Sequence, residues 1–294
     1  MTAPSAKSLI LDLLSTVRRG AMPVRALIAA GELFHITENS VRVNLARLCR
    51  AQRVRRDRRG TYRLGRGASA VDQHLAGWRR ADHRLGAWRI DRDGRGSWVA
   101  VCGLDPRGVT RHESQALRLI GMRELEVGLF VRPDNLTGDL ARTREALYTL
   151  GLSRRRPVFR LDALDEQRER QARQLWRNDA LREHYRDLQA RLRESRARLP
   201  QLSRDASMAE SFLLGGQAIR TIATDPLLPG PIVPEGEFAA LVEATRCYDV
   251  VGRACWSEFL SRHQVIHLHS PVDLRIDDAT RALVAPAMNR GNAA

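Results

Sequence analysis

On a helix advancing 100° per residue, Asn39, Ser40, Val43, Arg47 and Arg50 gather on one side, while Val41, Leu45 and Leu48 repeat at core spacing on the other. The amide, hydroxyl and guanidinium groups of the first set suit hydrogen bonding to base edges in the major groove of DNA, and Val43 suits a thymine methyl. Arg42 lies at the flank of this face. Any solvated helix face could have this composition, so the helix alone leaves both readings open. The next segment weighs between them. In Val54-Arg55-Arg56-Asp57-Arg58-Arg59-Gly60-Thr61-Tyr62-Arg63-Leu64, apolar Val54, Tyr62 and Leu64 bracket a charged tip, which is a hairpin pattern. Arg55, Arg56, Arg58 and Arg59 would then lie along phosphates or enter the minor groove. A charged hairpin can serve solubility alone, but clustered like charges repel and cost stability unless a polyanion neutralises them.

Other chemistry is thinly represented. His263 and His267 would share a helix face, with His269 beyond them, but Pro271 and the alternation of Val265, Ile266 and Leu268 argue that the helix has ended there. Asp105 is placed at a strand end where paired subunits could share an acidic metal site, the basis of an alternative reading as a metal-dependent nuclease. A turn residue before Pro106 is the simpler account. The sequence has no phosphate-binding glycine loop, no nucleophile elbow, no H-E-x-x-H and no dinucleotide fingerprint, so neither an enzyme nor a cofactor is expected. Cys49, Cys102, Cys247 and Cys255 lack metal or redox spacing and read as small core residues of a cytoplasmic protein. No run of about 18 apolar residues is present.

The elements that must position the candidate face follow from periodicity. Leu9, Ile10, Leu13, Leu14 and Val17 predict a first helix, and Pro23 opens a second over 24–30 that stops at Gly31. Thr37 is the expected N-cap of the third, with Ile36 and Val41 as a hydrophobic staple. The charge supports this segment as an electrostatic footprint. Of a net +15, residues 1–66 hold fourteen basic side chains against Asp12, Glu32, Glu38 and Asp57, a surplus of ten.

Beyond it, 67–95 reads as a linker helix carrying Trp78 and Trp88 before a Gly/Asp/Arg loop, and 96–163 follows a β-α-β-β-α-β order, a ferredoxin-like pattern. The segment 164–270 reads as a helical C-terminal domain, with Leu181, Tyr185, Leu188, Leu192 and Leu199 on one seam, and 271–294 as a tail. The fold class expected is therefore α+β and multidomain, led by a winged helix-turn-helix. Trp176 and Tyr185 could line an effector pocket between the middle and C-terminal domains and serve equally well as core.

Four strings in order carry a resemblance: Val41-Arg42-Val43-Asn44-Leu45-Ala46-Arg47-Leu48, Thr61-Tyr62-Arg63-Leu64, Gly128-Leu129-Phe130-Val131-Arg132-Pro133 and Asp225-Pro226-Leu227-Leu228-Pro229. The sequence resembles the PaaX-like family of phenylacetic acid catabolism repressors over most of its length. The resemblance implies a winged-helix domain, a ferredoxin-fold middle domain, a helical C-terminal domain, homodimers, and release from a DNA operator by an aryl-acyl-coenzyme A thioester. Ala51, Gln52 and Arg53 stand where the family tends to have a glycine and an aromatic, and Asp105-Pro106 where it tends to read Pro-Glu.

Overall fold

The computed structural model describes residues 3–16, 21–57, 60–65, 86–103, 109–176, 178–233 and 236–265. Among the described residues the chain is mixed α/β, with two small antiparallel sheets. It divides into two compact units, one drawn from 1–76, 190–219 and 243–294, the other from 77–189 and 220–242. The segment 164–270, expected as a domain of its own, supplies residues to both. Among the described residues, no helix is long and apolar enough to cross a membrane.

In the first unit, α1 (Ala6–Thr16) starts where the Ser5 hydroxyl accepts the Ser8 N–H at 3.2 Å, and buries Leu9, Ile10, Leu13 and Leu14. A short strand the sequence did not announce, β1 (Ala21–Pro23), precedes α2 (Val24–Glu32). Pro23 is therefore the extended residue before the helix rather than its first turn, and α2 runs through Gly31 instead of stopping there. Thr37 caps α3 (Glu38–Arg50) as expected, its side chain accepting the Ser40 N–H at 3.3 Å. Strands β2 (Val54–Arg56) and β3 (Thr61–Leu64) pair antiparallel with Arg55 opposite Arg63, and β1 adds to the other edge of β3, giving the order β1-β3-β2. Gly65 is demanded where the hairpin returns to the end of α3: a Cβ there would stand 2.0 Å from the Gln52 carbonyl oxygen.

Leu45, Val41 and Leu48 of α3 join α1, α2 and Val54 in a core that does not close within the first 66 residues. Met208, Trp256, Phe259 and Leu260, about two hundred positions away, complete it. They come from α8 (Arg204–Ala223) and α9 (Glu237–Arg262). Phe34 lies 5.3 Å from Phe212, which lies 6.0 Å from Trp256, ring centre to ring centre, and Trp256 donates its indole N–H to the Met208 carbonyl at 3.1 Å. Aromatic pairs at these distances contribute beyond the area they bury.

The second unit is built on β4 (Trp98–Val101), α4 (Arg111–Leu119), β5 (Arg123–Glu126), β6 (Leu129–Pro133), α5 (Leu140–Leu150) and β7 (Val158–Leu161). All pairings are antiparallel in the order β5-β6-β4-β7, so central β4 is flanked on both edges, and its four residues are buried. Thr110 and Glu113 form a capping box at the start of α4, and Asp139 caps α5. Residues 86–95, expected partly as helix, are extended and turned instead. The Trp88 indole donates to the Ser97 carbonyl and its ring meets Trp98 edge-on at 5.4 Å, while the Asp91 carboxylate accepts the N–H groups of Asp93 and Arg95. Residues 66–85 and Trp78 lie outside the described residues.

Trp176, which follows α6 (Glu166–Gln174), stacks on Trp98 at 6.2 Å and donates to the Gly121 carbonyl. In α7 (Asn178–Arg198), Tyr185 and Leu188 are buried in this unit and Leu192 in the first, so that seam is core. Two of the motif strings meet through buried polar groups. Arg132 donates to the carbonyls of Pro133 and Ile120 and to the Asn135 side chain, and Asn135 donates to the Leu227 carbonyl at 2.8 Å. Gly121 leaves room for this loop, since a Cβ there would lie 2.6 Å from the Pro226 Cα. Asp225 accepts the Leu227 N–H at 2.8 Å and the Tyr185 hydroxyl.

Candidate nucleic-acid interface

Because Val41, Leu45 and Leu48 are buried, the opposite side of α3 faces outward, with Asn39, Arg42, Val43, Arg47 and Arg50 exposed. Val43 is 39% exposed and stands among the three exposed large hydrophobic residues of the described chain. Ser40 is half-buried, its N–H taken by the Thr37 hydroxyl and its carbonyl by the Asn44 side chain at 2.9 Å. Arg42 is engaged by Glu38, one turn earlier, at 2.6 Å, with both side chains 56% exposed. Ala46, exposed and one turn beyond Val43, belongs to the same stripe. Sequence reasoning passed over it because it carries no functional group, although the wheel that selected Val43 also contains it.

Arg55 and Arg56 are exposed on β2. Arg58 and Arg59 lie outside the described residues. The hairpin is held at its base: the Asp57 carboxylate accepts the Thr61 N–H at 3.1 Å, the Thr61 hydroxyl, and the Arg63 guanidinium at 3.1 Å. Asp57 and Arg63, counted in the sequence only as charges, are thus structural. Asp57 removes one basic side chain from the exposed set while fixing the hairpin. The exposed arginines of α3 and β2 in this unit, Arg42, Arg47, Arg50, Arg55 and Arg56, are held on regular secondary structure.

The other candidates separate from this surface. Trp176 and Tyr185 are buried core. Burial and the neighbouring Asp225 carboxylate push the Tyr185 phenol far above its ordinary range, so its hydroxyl stays a donor. The cleft lined by Arg89, Asp134, Thr137 and Arg160 has a volume of about 170 Å³, below the ~300 Å³ at which small-molecule pockets begin. Asp134 in that cleft is taken by Arg160 at 2.9 Å. His263 ends up just after α9 against the Phe259 ring, 4.5 Å between centres, while His267, His269 and Asp105 lie outside the described residues. Among the described residues, no three His, Cys, Asp or Glu side chains gather to hold a metal ion. The four cysteines are free thiols.

Among solved structures the chain is similar to the uncharacterized protein Rv0674 from Mycobacterium tuberculosis, with a TM-score of 0.57 and 23% identity over 88% of this chain and 99% of that one. The two share a fold. At that identity the likeness carries no activity across. No family model matches the sequence. No curated protein matches it either.

Proposed function

We propose that the protein is a sequence-specific transcriptional regulator that binds duplex DNA through a winged helix-turn-helix. Helices α2 and α3 form the helix pair, and the β2–β3 hairpin is the wing. One observation carries this reading: an outward stripe of Asn39, Val43, Arg47 and Arg50 on a capped helix, followed at once in the same unit by a hairpin that exposes Arg55 and Arg56. In this reading α3 enters the major groove and the hairpin follows the phosphates, which Arg58 and Arg59 would also contact.

The sheet of the second unit has the strand order of a ferredoxin-like domain, β5-β6-β4-β7 with two intervening helices. Together with the sequence strings named above, this supports placing the chain near the PaaX-like regulators, and with them a homodimeric repressor relieved by an aryl-acyl-coenzyme A thioester. The buried bonding between Arg132, Asn135 and Leu227 gives two of those strings a structural role. Effector binding therefore belongs elsewhere than at Trp176 and Tyr185.

The test begins with in vitro selection of a duplex by the full-length protein, followed by titrations of the selected and a random duplex at several salt concentrations. Arg47→Ala should cost about 1–3 kcal/mol on the selected site and much less on random DNA. Replacing Arg55 and Arg56 together should weaken both duplexes alike and lower the salt slope by about 0.9 per lost phosphate contact. The opposite pattern would exchange the roles of helix and hairpin. Saturating phenylacetyl-coenzyme A that leaves selected-site binding unchanged would remove the effector, and a monomer in sedimentation of the full chain would remove the dimer.

A further inference from the structure

On α3 the residues Asn39, Val43, Ala46 and Arg50 stand at i, i+4, i+7 and i+11, within about 60° of one another around the helix. The middle of this stripe is apolar and the two ends are polar. Neither stability nor solubility accounts for its centre. Valine at an exposed helix position has lower helix propensity than the long-chain residues that usually occupy such sites, because its branched side chain is confined against the preceding turn. Its 39% exposure leaves apolar surface in water. The cap, the core contacts of Val41, Leu45 and Leu48, and the terminal Arg47 and Arg50 hold the helix without help from Val43.

The chemistry of the rest of the face narrows what could cover that apolar centre. Arg42 is drawn to Glu38 on one flank, so the free positive charge of the helix lies toward its C-terminal half, at Arg47 and Arg50. A polyanion approached along these arginines presents one apolar group among its major-groove edges, the C5-methyl of thymine. Resting on the DNA-binding reading above, we infer that Val43, backed by Ala46, is a specificity-determining contact that reads a thymine methyl. Val43 and Arg50 are seven residues apart, about 10 Å along the helix axis, which is about three base-pair steps. The thymine read by Val43 therefore lies within about three base pairs of a guanine read by Arg47 or Arg50.

The experiment uses the full-length protein and its selected duplex, with each thymine replaced in turn by deoxyuridine, which removes the methyl and leaves base pairing intact. One thymine in each half-site should weaken binding by about four-fold when its methyl is lost, the amount expected for one buried methyl group. Val43→Ser and Val43→Asn, which take the γ-methyls away and put a polar group in their place, should bind thymine and uracil duplexes nearly equally at that position. The inference is overturned if no thymine responds, or if the response persists in both variants while the selected site is still bound specifically. A selection that enriches no sequence would instead overturn the DNA-binding reading itself, and this inference with it.

Discussion

Glu38→Gln should loosen the protein slightly and tighten its grip on DNA. Glu38 is the first residue of α3 and holds the Arg42 guanidinium at 2.6 Å, both groups remaining half in water. An exposed pair at this spacing contributes about 0.3–0.5 kcal/mol, and a carboxylate in the first turn of a helix about 0.3–1 kcal/mol through the helix dipole. The variant should therefore lose about 0.5–1.5 kcal/mol of stability, seen as a small fall in Tm. It also frees Arg42 beside the outward stripe and removes a negative charge that would face phosphates. One added phosphate contact steepens the dependence of log K on log salt by about 0.9, which corresponds to as much as about eight-fold tighter binding near 0.1 M salt. Fluorescence anisotropy on a random duplex is the right assay, since it excludes any base contact that Glu38 itself makes in a selected site. Opposite signs for stability and affinity are the signature. An unchanged slope, or weaker binding to random DNA, would show that the N-terminal half of α3 does not lie beside phosphates.

Gln52, just past α3, has a φ of +55°. Gln52→Gly exchanges a left-handed cost of about 1–2 kcal/mol for a glycine entropy cost of about 0.5–1 kcal/mol, and urea unfolding should show a net gain of up to about 1 kcal/mol. Tyr185→Phe withdraws a buried donor from Asp225 and should destabilise the chain by about 1–3 kcal/mol, while DNA titrations of the folded variant stay unchanged. Burial, with the guanidinium groups of Arg25, Arg262 and Arg204, holds the His263 imidazole below its ordinary range. The unfolded chain then binds the proton more readily, so this contribution is complete above about pH 6.5 and is lost as pH falls through that value toward the lowered folded one. His263→Gln should flatten the Tm profile between pH 7.5 and 5.5. Equal slopes for both proteins would refute that assignment.

What the sequence made legible was local. Thr37 as a cap, the α3 core residues, the β2–β3 hairpin and the strand and helix order from Trp98 to Leu161 each follow from a short window of periodicity and turn chemistry. The misses depend on partners far along the chain. Strand β1 has three residues, and only its pairing with β3 makes it a strand. Arg132, which no local pattern marks as core, is buried because carbonyls from residues 120 and 133 and the amide of Asn135 surround it. Trp176 and Tyr185 have the apolar body and polar tip that suit pocket and core equally, and only the acceptors at Gly121 and Asp225 decide for core. At the candidate site, the outward face of α3 was visible because a helix wheel needs no partner. The engagement of Arg42 by Glu38 and of Arg63 by Asp57 needed coordinates to choose one pairing among several.

The distance in sequence between α3 and the aromatic residues that finish its core has a consequence during synthesis. On a ribosome adding about 5–20 residues per second, Trp256 is made about 10–40 s after residue 66. Through that interval Phe34 and the inner faces of α1 and α3 lack Trp256 and Phe259, and for most of it Phe212 as well, so the nascent segment carries an open apolar face beside its arginines. Closure must then wait for contacts spanning some two hundred residues, the kind that form slowly because the chain between them must first be ordered. A ribosome stalled anywhere short of the second half of α9 would leave the positive surface made and its support missing. The first 66 residues, moved alone into another protein, would inherit the same incomplete core.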